Sequence, residues 1–298
     1  MSKVKKRTTG ERAFDTFNVL FLIGLMLVTL YPLLYVLFAS LSDPALFVRH
    51  TGFLLAPLGL NFGSYKMVFQ NPLLLTSYMN TIFYVVTGTA ISLFLTILGA
   101  YAFSRKTMWG TALMMIVVFT MWFNGGMIPY YLLVKDLGML NSRWALLIPK
   151  AISTFNLIIM RTSFQQVPVS LEESARIDGA RDMTILFRII LPLSMPVIAV
   201  ITLFYAVSQW NAWFDAMLFI NNTTLQPLQI LLRQIIILSS TDSMTAAAGA
   251  AGVSDSAVTF GETIKYATVI VATVPVLCIY PFLQRYFVKG VMVGAIKG

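Results

Sequence analysis

The sequence has one cysteine, Cys278, and one histidine, His50, far apart along its 298 residues. No disulfide can form within it, and neither a Cys/His zinc cluster nor a Cys–His nucleophile pair has its members. Charge is scarce as well: 21 Lys+Arg and 12 Asp+Glu amount to 11% of the residues. Soluble proteins carry about 25%, so a water-soluble fold of this size would lack the side chains to solvate its surface. No lysine follows a glycine, which excludes a Walker A phosphate cradle. These absences set aside an ordinary cytosolic enzyme, a disordered chain and a fibrous protein.

Apolar residues are abundant, at 58% hydrophobic with 13% aromatic. The class expected is an all-α polytopic membrane protein. About 20 apolar residues cross a bilayer as a helix, and six such stretches are expected, at 17–41, 78–103, 111–133, 144–164, 197–219 and 266–284. Lys3, Lys5, Lys6 and Arg7 precede the first, as in a secretory signal. Its apolar run is far longer than the roughly 7–15 residues of a signal core, so an uncleaved helix is expected. Asn124-Gly125-Gly126 and Pro129 should kink or break the third span, and Pro149 with Lys150 falls inside the fourth.

The net charge of +9 fits either an acidic partner or an oriented membrane protein. Counting cations by side separates the two. The N-terminus, the loop at Arg105-Lys106, the loop holding Arg161, Arg176, Arg181 and Arg188, and the C-terminus together hold 14 of the 21. By the positive-inside rule both termini are expected in the cytoplasm of a bacterial cell, in its inner (plasma) membrane. The charge is an orientation signal, and no nucleic-acid partner is expected. Residues 1–77 form a tail, first helix and outer loop, and 78–298 a core with a cytoplasmic loop at 165–196 and an outer loop at 220–265. Within that outer loop, 239–257 is rich in Ser, Thr, Ala and Gly and reads as a flexible excursion.

The cytoplasmic loop at 165–196 holds the most specific pattern. Pro168 should end the preceding helix, and Ser170 with Glu173 matches a capping box. A short helix over 171–178 should stop at Gly179, which tolerates a left-handed conformation. Asp182 should cap a second helix over 183–190, ended by Pro192, with Met183, Leu186, Phe187 and Ile190 on one apolar face. The expectation is a helix–turn–helix on the cytoplasmic surface.

Glu173-Ser174-Ala175, three residues, Gly179, nine residues, Ile189, one residue, Leu191-Pro192 resembles the EAA loop of binding-protein-dependent ABC importers. Ser174 replaces the first alanine of that pattern, a small-for-small change. The end, Gln284-Arg285-Tyr286-Phe287 to Gly290, then Gly294 to Gly298, is similar to the oligosaccharide branch of these permeases. The resemblance runs from about residue 78 onward and implies a type I importer permease fold. It also implies a second homologous permease subunit, two ATP-binding subunits that hold ATP and Mg, and an extracytoplasmic sugar-binding protein, with the chain itself embedded in membrane lipid. No cofactor, metal or catalytic residue is implied for this chain. Glu173, Ser174, Ala175, Asp178, Gly179 and Arg181 carry over as ATPase-coupling positions, and the segment 290–298 as a further contact.

Polar groups inside spans are costly and tend to face a cavity or another helix. Asn124, Asn156, Gln209, Trp210 and Asn211 are the candidates for a substrate path, since amides beside aromatic faces suit a sugar. Trp213 also flanks Asn211, and Asp215 is placed near the outer interface. The plainer reading is that such amides bond neighbouring helices and such tryptophans sit at the membrane interface. A secondary transporter is the first rival, with Asp215 and Lys150 as its only coupling-ion candidates. The second is an integral-membrane phosphotransferase, because Asp178-Gly179-Ala180-Arg181-Asp182 superficially resembles the CDP-alcohol phosphotransferase motif. That chemistry needs further aspartates on the next turns, and the next acidic residue is Asp215.

Overall fold

The computed structural model describes residues 9–105, 108–123, 125–247 and 261–278, with the backbone alone over 238–247. The chain divides into two compact units, Met1–Asn71 with Ile235–Thr273, and Pro72–Gln234 with Val274–Gly298. The described residues are mostly helical, and the one β-bridge among them joins Ser42 to Leu60.

In the first unit, α1 (Thr9–Leu41) leaves its most apolar stretch wholly uncovered by the rest of the chain. A helix that is apolar all round and uncovered needs lipid or another protein as its solvent. After it, Asp43 caps α2 (Pro44–Arg49) by accepting the Ala45 and Leu46 N–H groups, and α3 (Gly63–Gln70) follows. Asn61 donates a third bond to the Asp43 carboxylate at 3.0 Å. That amide, ahead of the two backbone N–H bonds, holds the Asp43 carboxyl below its ordinary value, against a smaller opposing effect of desolvation. Phe47, Tyr35 and Tyr266 pack edge to face, with ring centroids 5.6–6.3 Å apart.

The second unit is built on α4 (Pro72–Ser104). Gly88, Thr89, Ser92, Thr96 and Ala100 make its buried face small enough for close helix approach. Around it lie α5 (Gly110–Trp122), α6 (Met127–Asp136), α7 (Trp144–Leu147), α8 (Thr154–Gln165) and α9 (Val169–Ile177). Then come the rod α10 (Asp182–Leu193), α11 (Met195–Trp210), α12 (Phe214–Phe219) and, as far as Gln234, the start of α13 (Leu228–Ala247). One core joins Ile97 and Tyr101 of α4 to Met160 and Phe164 of α8 and to Ile185, Leu186 and Ile190 of α10. A second gathers Tyr84, Val134, Leu147 and Phe219.

Among the described residues, α1, α4 and α14 (Gly261–Cys278) are long and apolar enough to cross a membrane. Two bent pairs, α5 with α6 at 113° and α10 with α11 at 86°, raise the number to five if each is one span. The break expected in the third span lies between Trp122 and Met127, and Asn124 falls outside the described residues. The fourth expected span is not one helix: Pro149 and the extended Ser153 separate α7 from the 12-residue α8. At 1.5 Å per residue α8 alone is about 18 Å long, short of a bilayer core. The fifth is likewise interrupted, between Trp210 and Phe214.

The outer loop differs from expectation. Its first part is helical, as α13 runs from Leu228 to Ala247 and takes in half of the stretch read as a flexible excursion. Leu228–Ile237, inside the stretch expected as a loop, is an apolar helical segment. Residues 248–257 of that stretch, and the C-terminal segments from 279 on, lie outside the described residues.

Candidate functional site

The helix–turn–helix at 165–196 is present, with local corrections. Val169 begins α9 after Pro168, whose own conformation is extended, so Ser170 lies inside the helix and no capping box forms. Its oxygen-bearing partner is instead local: the Ser174 hydroxyl donates to the Ser170 carbonyl at 2.9 Å. Gly179 takes φ +81°. The Gly179 N–H bonds the Arg176 carbonyl at 3.0 Å and the Ala180 N–H bonds the Ala175 carbonyl at 2.9 Å. These two bonds make a Schellman stop, and the half-buried Ala175 and Ala180 pack against the same core beneath it.

Asp182 does not cap the second helix. It is the first helical residue, and its carboxylate pairs with Arg176 across the turn. Pro192 does not end the rod either. Lacking an N–H and crowding the preceding turn, it follows a π turn at Leu186–Ile190, and the helix continues to Leu193. In a π turn residues five apart stack. The buried face is therefore Ile185, Leu186 and Ile190, and Met183 and Phe187 are exposed where an i, i+4 pattern would bury them.

The two adjacent glutamates face opposite ways. Glu173 is exposed, together with Ser174, Ile177, Asp178, Gly179 and Arg181. Glu172 is 5% exposed, and a guanidinium nitrogen of Arg105 lies 2.6 Å from its carboxylate. The two are in charge contact, though off hydrogen-bond alignment. The same guanidinium lies 4.9 Å from the centre of the Tyr101 ring. Arg161 of α8 donates to the Phe103 carbonyl at 2.8 Å, satisfying one of the last carbonyls of α4. The C-terminal end of α4 thus holds both α9 and its predecessor α8. Neither Arg105 nor Glu172 is among the residues expected from the sequence. The available signal was spacing, since Glu172 lies three residues before Ala175 and so shares its inward face.

The second assembly is a cavity of about 590 Å³ between the α7–α8 segment and α11–α12. Asn156 and Gln209 line it, with Ser153, Ser208, Phe155 and Phe204. Trp210 and Asn211 are not part of the lining, and the Asn211 amide is spent on the Val207 carbonyl at 2.9 Å, closing the end of α11. Gln209 lies against Gly88, where an added Cβ would sit 2.7 Å from its Nε2. Tyr205 fixes the wall: its hydroxyl accepts the Ser153 N–H at 3.0 Å and bonds the Thr96 hydroxyl at 2.7 Å. Lys150 and Asp215, read from the sequence as separate charges, pair here with Nζ 2.6 and 2.8 Å from the two carboxylate oxygens. Among the described residues, no cluster of three or more His, Cys, Asp and Glu could hold a metal ion.

No family model matches the chain. It is 44% identical over 292 residues to the protein LplC of Bacillus subtilis (strain 168), covering 98% of this chain and 97% of that one. It is 44% identical over 289 residues to the polygalacturonan/rhamnogalacturonan transport system permease protein YtcP of the same organism, covering 97% and 99%. Among solved structures it resembles a chain of a bacterial ABC transporter involved in the import of the acidic polysaccharide alginate. The TM-score is 0.84 at 37% identity, covering 94% of this chain and 99% of that one.

Proposed function

The chain belongs to the permease subunits of ABC sugar transport systems, and from that premise we propose how its two assemblies divide the work. It is a non-catalytic membrane subunit of an ATP-driven, binding-protein-dependent importer of oligosaccharides, working with a second permease, ATP-binding subunits and a sugar-binding protein. In this reading the outward residues of α9 and its turn, Glu173, Ser174, Asp178, Gly179 and Arg181, face an ATP-binding subunit, with Ala175 packed beneath them. Exposed Ile177, Met183 and Phe187 add an apolar contact to the charged ones. ATP and Mg are held by the partners, and closure of those subunits moves the α9–α10 element.

The observation that supports this most is the way α9 is fastened. A two-helix element with its inner face built into a core can pass on a rigid-body movement, whereas a free loop would absorb it. Here Ile185, Leu186 and Ile190 share a core with Ile97 and Tyr101 of α4 and with Tyr205 of α11, the helix whose far end lines the cavity. In this reading the chain crosses six times, with α5–α6, α7–α8 and α11–α12 as interrupted crossings; both termini are on the cation-rich, cytoplasmic side and the cavity is in the outer half of the membrane. Cavity residues Asn156 and Gln209 then meet the sugar's hydroxyls, and Phe155 and Phe204 meet its C–H faces.

The test is reconstitution of the whole transporter with Glu173→Arg in this chain. The expected result is a chain that inserts and pairs with its sister permease but gives no sugar-stimulated ATP hydrolysis. Normal stimulation would overturn the coupling assignment. A secondary transporter would need Lys150 or Asp215 as an ion-coupling group, and the two neutralise each other.

A further inference from the structure

The cavity carries an inference that rests on the importer reading and names the chemistry of the cargo. Lys150 and Asp215 are unequally covered: the lysine side chain is 60% exposed and the aspartate 17%. A molecule in the cavity therefore meets the ammonium before the carboxylate. Asp215 takes two of the three ammonium donors, leaving one for a ligand. The Tyr130 ring centre lies 5.4 Å from Nζ, so the cation has an aromatic face beside it as well as its counter-ion. Hydroxyl partners stand nearby in Ser153, Asn156 and Gln209.

We propose that Lys150 is a carboxylate-binding subsite for the uronate groups of an acidic oligosaccharide, with Asp215 its resident counter-ion in the empty cavity. A neutral sugar needs no such cation, and if the cavity is within the membrane a lysine there would be costly without a partner. Asp215 meets that need when no cargo is present. An arriving carboxylate takes the free donor and competes for the other two. Two similar proteins are consistent with this charge: one is a polygalacturonan/rhamnogalacturonan permease and the other imports an acidic polysaccharide.

The experiment uses the complete transporter in proteoliposomes with its binding protein at saturation. Uptake of tetragalacturonate, its methyl ester and maltotetraose is compared. Lys150→Gln is expected to lower tetragalacturonate uptake about tenfold, as for loss of one charge-assisted contact, and to change uptake of a neutral sugar less than about twofold. Lys150→Arg should retain most of the acidic uptake. The swap Lys150→Asp with Asp215→Lys rebuilds the pair but hides the cation, and should stay as impaired as Lys150→Gln. Recovery in the swap, or equal loss for acidic and neutral sugars, would show that the pair only holds the fold and would overturn the subsite. If the wild type carries maltotetraose but neither tetragalacturonate nor its ester, the subsite falls and the importer reading stands. If none of the three enters in an ATP-dependent way, the importer reading itself falls.

Discussion

Arg105, just past the end of α4, sets its guanidinium 2.6 Å from the carboxylate of Glu172, the buried neighbour of the exposed Glu173. One pair of adjacent glutamates thereby splits into an inner anchor and an outward, exposed carboxylate. The anchor ties α9 to the end of α4, the longest helix of its unit.

Removing either partner strands a covered charge. Glu172→Gln or Arg105→Ala should loosen α9 at a cost of up to about 3–5 kcal/mol, the range for breaking a buried pair. The loss should read out as faster proteolysis within the 165–182 segment and weaker sugar-stimulated ATP hydrolysis. The reversal Arg105→Glu with Glu172→Arg should recover much of both. An unchanged proteolysis pattern in the single variants would show that the pair holds nothing.

Gly179 is a purely conformational requirement. A Cβ there would meet no atom within 4 Å, but φ is +81°. Gly179→Ala should therefore cost about 1–2 kcal/mol locally, and Gly179→Asn less. Gly179→Pro should disrupt the turn and uncouple transport with insertion intact. Coupled ATP hydrolysis in the proline variant at the wild-type rate would contradict this.

These residues also show what the sequence makes legible. Glycine at a helix end announces the Gly179 turn, because other side chains rarely adopt that φ. Long uncharged runs announce α1 and α4, and charge by side announces a membrane protein. The choice between Glu172 and Glu173 is not legible, since two neighbouring carboxylates differ only in which face the core takes. Nor is the π turn before Pro192, with which Leu186 and Ile190 are buried as expected while Met183 and Phe187 are exposed and Ile185 is buried instead. The Lys150–Asp215 pair spans 65 residues, and nothing local in either stretch points to the other.

Gly88 and Gln209 form a tight contact across two helices. Gly88→Ala should displace the Gln209 side chain, because that flexible amide is what the new methyl would strike at 2.7 Å. Thermal stability should change little, since the amide can move, while sugar uptake should fall several-fold. Unaltered uptake would take Gln209 out of the substrate path.

Tyr205→Phe removes the acceptor for the Ser153 N–H and the partner of Thr96. The expected loss is about 1–3 kcal/mol, for a covered donor left unmade. A lower melting temperature of the purified transporter would report it. An unchanged melting temperature would show that these bonds contribute nothing net.

The loop after α1 has an acid limit. Because hydrogen bonds from Asn61 and then from the Leu46 and Ala45 N–H groups hold the Asp43 carboxyl below its ordinary value, its contribution is present above that value. It should be lost as pH falls through the lowered one. Exchange of the Ala45 and Leu46 amides should speed up across that acid window, and Asp43→Ala should abolish the dependence. An acid step that survives in Asp43→Ala would place its cause elsewhere.

The coupling role is tested most directly by sugar-stimulated ATP hydrolysis of the complete, reconstituted transporter, with wild-type chain and with Glu173→Arg side by side. The wild-type complex should hydrolyse ATP faster when the sugar-loaded binding protein is added. The Glu173→Arg complex should show no such rise although the chain is inserted and paired with its sister permease. Equal stimulation of the two would contradict the assignment of α9 as the contact through which ATP drives transport.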